Sequence, residues 1–270
     1  MFLGAAIVAA LYATVCLGYY SFQEAILFHP ESLPEEHAFA LSVPFEEVYL
    51  EASDGVRLHA LHARAPGGVS RGVVLHFHGN AENADDLGPR IEDFAAAGFD
   101  VVAPDYRGFG KSGGRIRGER RFIADAELWA DYVAERYPDA PVVVSGYSIG
   151  TGPAVQVAAE LRTDLLILEA PFTSLLDLAR DKTPFLPNAL LLKYPLRSER
   201  HIGEVHAPIL VFHGTEDSLI PPTHGRRLAT TAGPTATFVP VEGAGHNDVG
   251  ASDTYERLVA EHLASLSSQR

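Results

Sequence analysis

Val142-Val143-Val144-Ser145-Gly146-Tyr147-Ser148-Ile149-Gly150-Thr151 is a β-branched run that passes through Gly-x-Ser-x-Gly into a segment of helical composition, Thr151 to Glu160. A strand, this motif and a helix in succession form the setting in which a serine is held on a sharp turn, its hydroxyl exposed above a sheet. The flanking positions must be glycine because a side chain there would collide with the neighbouring strand or helix. The stretch predicts a strand ending before Ser148, a strained turn at it and a helix behind it.

Outward from that turn the same alternation repeats. Val73 to Phe77, Phe99 to Ala103, Leu165 to Glu169, Ile209 to Phe212 and Thr237 to Val241 are short apolar runs of the kind buried on both faces of a parallel sheet. Ala84 to Gly98 reads as a helix. Glu119 to Tyr137, with Phe122, Ile123, Ala126, Trp129 and Val133 set among charges, reads as an amphipathic one. The expected fold is therefore α/β, a mostly parallel, doubly wound sheet with helices on both faces. Ahead of it, Phe45 to Glu51 and Val56 to Arg64 flank Ser53-Asp54-Gly55, a hairpin signal. The segment from Pro171 to Ile209 has room for short helices but not for a large cap domain.

Ser148, Asp217 and His246 each follow a predicted strand end, so all three belong to one edge of the sheet, beyond the carboxyl ends of the strands where ligands bind. A serine hydroxyl needs an imidazole to take its proton, and the imidazole needs a carboxylate to fix its tautomer and stabilise its cation. The chain order Ser, acid, His is that of α/β-hydrolases. Asp217 is the preferred acid, with Glu169 the main rival and Glu216, Asp105 and Asp248 also weighed. Asp248 stands too close in sequence to His246 to orient its ring. His78-Gly79-Asn80-Ala81 ends a strand in small residues, which suits either an oxyanion hole or a helix cap at Asn80 or Asn83.

With these blocks in order, the chain resembles the α/β-hydrolase superfamily and, within it, the Bem46-like group of membrane-associated serine hydrolases. The resemblance covers roughly residues 28 to 264. It rests on His78-Gly79-Asn80-Ala81, Asp105-Tyr106-Arg107-Gly108, Gly146-Tyr147-Ser148-Ile149-Gly150-Thr151, Pro171-Phe172-Thr173-Ser174, His213-Gly214-Thr215-Glu216-Asp217 and Gly245-His246-Asn247. It implies Ser148 as nucleophile, Asp217 and His246 as its partners, and the backbone N–H groups of Asn80 and Ile149 as the oxyanion hole. Tyr147 and Ile149 depart from the His and Leu frequent at those positions. The implied reaction is cleavage of a carboxylic ester or thioester of a small-molecule or lipid-like substrate. The same triad would serve an amidase or peptidase, and a non-catalytic membrane scaffold is the alternative outside enzymology.

Other chemistries find little support. A net charge of -14 argues against a nucleic-acid surface. Arg115, Arg117, Arg120 and Arg121 read as a solvated helix start, and acidic residues follow them. Cys16 is the single cysteine, which leaves no disulfide framework. His76-x-His78 would share one face of a strand, but no third ligand stands at a recognisable spacing, so neither a metal nor an organic cofactor is expected. Gly110-Lys111-Ser112 lacks the first glycine of a P-loop. Asp105 and Arg107 read as residues that order a turn. Phe172, Leu175, Phe185, Leu186, Leu190 and Leu191 are candidates either to face substrate or to pack in the core.

Met1 to Gln23 carries no charged side chain. A helix of that length spans ~33 Å, enough to cross the hydrocarbon of a bilayer. Residues 1–27 are expected to be an uncleaved single-pass anchor, or else a cleaved signal peptide, and residues 28–270 the hydrolase domain. The first arginine is Arg57, so flanking charge scarcely orients the segment, and an external or periplasmic catalytic domain is the preferred placement. The sequence does not indicate an oligomeric state.

Overall fold

The apolar runs are buried throughout because helices cover both faces of the sheet they form. The computed structural model describes residues 2–266. Its strands are β1 (Phe45–Glu51), β2 (Arg57–Ala63), β3 (Val73–Phe77), β4 (Asp100–Pro104), β5 (Val142–Tyr147), β6 (Leu165–Glu169), β7 (Ile209–Gly214) and β8 (Ala236–Val241). They form one sheet in the order β1-β2-β4-β3-β5-β6-β7-β8. The hairpin strands β1 and β2 pair antiparallel, β2 pairs antiparallel with β4, and every later pairing is parallel. This is the α/β-hydrolase architecture expected from the sequence.

The α-helices that precede β6 are α1 (Phe2–Ser21), α2 (Gln23–Leu27), α3 (Gly88–Ala96), α4 (Glu119–Arg136) and α5 (Thr151–Glu160). Three short ones, α6 (Leu175–Lys182), α7 (Asn188–Leu191) and α8 (Ser198–His201), lie between β6 and β7, and α9 (Pro222–Ala232) and α10 (Asp253–Leu266) close the described chain. Successive strand side chains feed two separate cores. Val73, Leu75, Phe77, Val142 and Val144 pack with Trp129 of α4, Ala154 of α5 and Leu228 of α9. Val74 and Val143 pack with Ile91 and Phe94 of α3 and Tyr255 of α10. Trp129 is only 2% exposed, and its truncation to alanine would cost about 3–5 kcal/mol.

The expected helix at Ala84 to Gly98 begins late. Residues 84 to 87 form a turn and α3 starts at Gly88, with the Ala84 N–H held by Asp105 Oδ1 at 2.7 Å and the Asn83 N–H by Asp86 Oδ2 at 3.0 Å. Asp105 also bonds His59 Nδ1 at 2.6 Å, while Arg107 forks onto Asp54 and Asp125. Both residues order their turn, as the sequence suggests. His76 and His78 do not share surroundings, because β3 ends at Phe77. The His76 ring bonds Ser145 Oγ at 3.1 Å, whereas His78 packs against Tyr106 and Phe109.

Helix α1 lies at the surface of the body. None of its residues is buried, and with a mean hydropathy of 1.9 it is long and apolar enough to cross a membrane, as an anchor or a signal sequence would be. After α2, the connector is sewn onto the sheet's rim. Phe28 packs edge-on against Phe122 and Tyr194, the His29 N–H donates to the Asn80 carbonyl at 2.9 Å, and Leu33 and Gly110 bond through their backbones at 2.7 Å.

Candidate active site

Strand β5 delivers Ser148 to the rim. Its register with β3 sets Gly146 opposite Phe77, which brings the serine turn against the His78-Gly79-Asn80 turn. A Cβ on Gly150 would land on the carbonyl groups of Phe77 and His78, and one on Gly146 would strike the Gly150 carbonyl and Ala154. Ser148 itself has φ 51°, a left-handed conformation rare for a residue with a side chain, and the close packing around it holds that strain. Its hydroxyl points outward from the turn to the loop that follows β8.

The structure brings Ser148, His246 and Asp217 together. His246 Nε2 lies 2.9 Å from Ser148 Oγ, and His246 Nδ1 lies 2.7 Å from Asp217 Oδ2. The other carboxylate oxygen, Oδ1, accepts N–H bonds from Leu219 at 2.9 Å and Ile220 at 2.8 Å. Burial pushes the Asp217 pKa up, but hydrogen bonds from His213, His246 and the Ile220 N–H outweigh it and hold the carboxyl well below its usual range. Asp217 therefore stays anionic and fixes the ring, with Nδ1 as donor and Nε2 as the free base facing the serine.

Three of the rival carboxylates are engaged elsewhere. Glu169 pairs with Arg90 at 3.0 Å, Asp105 with His59, and Asp248 takes the Gly245 N–H at 2.9 Å. The exposed Glu216 has only its N–H committed, to the Ala244 carbonyl at 3.0 Å.

Asn80 and Ile149 sit at the paired turns beside Ser148. The Asn80 carbonyl is held by His29, and the preceding Gly79 N–H donates to Glu82 Oε2 at 2.7 Å, which fixes the Asn80 turn from both sides. Burial raises the Glu82 pKa, and the Gly79 N–H partly offsets that. A cavity of about 530 Å³ opens next to this turn, lined by Asn80, Glu82, Arg90, Tyr147, Glu169 and Asn247. Tyr147, the departure from the usual histidine, donates its hydroxyl to Asn247 Oδ1 at 2.6 Å, tying the serine turn to the histidine loop.

Sequence reasoning missed His213. Its fully buried ring places Nε2 2.8 Å from the Ile220 carbonyl and 3.3 Å from Asp217 Oδ2, so two imidazoles flank one carboxylate. The available signal was its position four residues before Asp217, at the end of β7. Of the apolar candidates, Phe172, Leu175 and Leu186 are buried and Leu191 is half-buried, but Phe185 and Leu190 are 65% and 83% exposed and pack in neither core.

Comparison with known proteins identifies the family and the fold. The family model described as serine aminopeptidase, S33, matches residues 68–197. An α/β-hydrolase domain-containing protein of Arabidopsis thaliana, WAV2, is 30% identical over 262 aligned residues, covering 86% of this chain and 83% of that one. The chain belongs to the α/β-hydrolase superfamily. It is also 31% identical over 245 residues, 90% of its length, to an uncharacterised protein of Mycobacterium tuberculosis, of which it covers 87%. Among solved structures, the Pyrococcus furiosus esterase Pf2001 superposes with a TM-score of 0.73 over 89% of this hydrolase and 98% of the esterase. At 20% identity that likeness speaks for the fold alone.

Proposed function

We propose that this hydrolase cleaves carboxylic esters or thioesters through an acyl-Ser148 intermediate. The observation that carries the reading is the unbroken relay from Asp217 Oδ2 through His246 to Ser148 Oγ, with both separations at hydrogen-bond length. As Ser148 Oγ attacks the carbonyl carbon, His246 Nε2 takes its proton and Asp217 stabilises the imidazolium. The carbonyl oxygen becomes an oxyanion held by the Asn80 and Ile149 N–H groups, a term worth several kcal/mol in such sites. His246 then returns the proton to the leaving alkoxide or thiolate. Water, deprotonated by the same imidazole, releases the acid and restores the serine.

Glu82, Arg90, Glu169 and Asn247 bring charged and polar groups to the cavity beside the site, while α1 is long and apolar enough to serve as a membrane anchor. Both suit an ester with a polar leaving group and a lipid-like acyl chain. A fluorophosphonate probe tests the nucleophile: it should label the native protein and not Ser148→Ala, and label retained by the variant would place the nucleophile elsewhere. The S33 description favours a second reading, an aminopeptidase. Hydrolysis of aminoacyl nitroanilides outpacing nitrophenyl esters would select it.

A further inference from the structure

The segment between α6 and α7 runs beside α1. The Tyr12 hydroxyl donates to the Phe185 carbonyl at 2.8 Å, Lys193 Nζ lies 4.4 Å from the centre of the Tyr20 ring, and buried Gln23 bonds the Leu191 carbonyl at 2.7 Å and the Lys193 N–H at 2.8 Å. From Tyr20 back to Tyr12 is eight residues of helix, ~12 Å along its axis. Phe185 therefore shares the depth of the middle of α1, whereas Lys193 marks the level of its root. Phe185 of this segment and Leu190 of the adjoining α7 are exposed.

We propose that this prong of the cap is immersed with α1 in a phospholipid leaflet, and that the substrate enters the site from that leaflet. The inference rests on the anchor reading of α1. Two further observations support it. Four backbone N–H groups in the prong are satisfied internally, as a lipid environment favours: the Leu186 N–H by Thr183, the Asn188 N–H by Leu186, and the Leu190 and Leu191 N–H groups by Pro187. The Asn188 side chain likewise donates to the carbonyls of Ala179 and Thr183.

Charge follows the same geometry. A cavity of about 1240 Å³ at the root of α1 is lined by Glu24, Lys193, Arg115 and Arg117. Arg115 and Arg117 are exposed and, among the described residues, form no ion pair, so two cations stand free at the level where lipid phosphates would lie. The cap also reaches the catalytic rim, since Lys182 Nζ donates to the Ser218 carbonyl next to Asp217 at 2.9 Å. An ester drawn from the leaflet past the prong reaches Ser148 without crossing bulk water.

The test uses the full-length chain in phosphatidylcholine and phosphatidylglycerol vesicles. Trp129 is the single tryptophan and is buried, so Phe185→Trp and, independently, Leu190→Trp each add one reporter over a shielded background. We expect lipids brominated along the acyl chain to cut the added emission by about half, the behaviour of a side chain that reaches the acyl chains. Phe185→Glu should also lower the ratio of turnover on a vesicle-borne ester to that on a water-soluble one by about tenfold, since a carboxylate is costly in that layer. Emission reached by aqueous acrylamide but not by bromine, in protein that floats with the vesicles, would leave the anchor standing and overturn the immersed prong. Emission shielded from both quenchers would mean that a second protein copy covers the prong, and would overturn it equally. Protein that fails to float with the vesicles would remove the anchor reading and the inference together.

Discussion

Glu169 accepts a charge-assisted hydrogen bond from Arg90 at 3.0 Å, and that bond makes it a structural carboxylate. It ends β6 just as Asp217 follows β7, so sequence position alone left both as partners for His246. Arg90 turns Glu169 away from that role, while burial raises its pKa and Arg90 opposes the rise.

Asp217→Asn should therefore lower kcat by about ten-thousandfold with little change in KM, because the imidazole loses its tautomer and its counter-charge only as the transition state forms. Steady-state kinetics on a nitrophenyl ester measure it. Wild-type turnover from a folded variant would show that another group orients His246.

Glu169→Gln should do the opposite. The largely buried Arg90 loses its counter-charge, which should cost about 3 kcal/mol in urea unfolding. Turnover per folded molecule should stay within about threefold of the parent, since Glu169 does not hold the ring.

The depressed pKa of Asp217 sets a pH window. Between its folded value and the ordinary ~3.9 of an unfolded aspartate, the unfolded chain binds more protons, so stability there rises with pH. The contribution is full above about pH 4 and is lost as pH falls through the folded value. Urea melts from pH 7 down to pH 3 should show the stability difference between parent and Asp217→Asn unchanged to about pH 4 and narrowing below it.

Gly150→Ala forces a methyl group into the Phe77 and His78 carbonyls. The two turns must separate, at a cost of about 3 kcal/mol, and the Asn80 N–H must move away from Ser148. Both thermal stability and kcat should fall. A variant with native melting and native kcat would show that the turns are not locked together.

Most of the sheet was legible in the sequence because its parallel strands are short apolar runs, and Ser148, Asp217 and His246 could be assigned to one rim because each follows such a run. What escaped depends on contacts between segments distant in the chain. Arg90 reaches Glu169 across 79 positions, and no local pattern announces the pair. The late start of α3 is likewise tied to a distant partner, since Asp105, 21 positions away, holds the Ala84 N–H in the turn that precedes Gly88. His213 was visible as a residue, but its role emerges only when the loop after β7 folds back to set Ile220 and Asp217 on the same nitrogen. Phe185 and Leu190 satisfied an apolar pattern that in most proteins means a core, and only the coordinates show them facing outward.

The stitched connector after α2 also governs how this hydrolase can be trimmed of its apolar first helix. A cut at Leu33 would discard the ring that fills the gap between Phe122 and Tyr194 and the N–H that clamps Asn80, so the shortened chain should melt earlier and turn over more slowly than one beginning at Gln23. There is no slack tether here to remove without loss: the leash is also part of the catalytic frame.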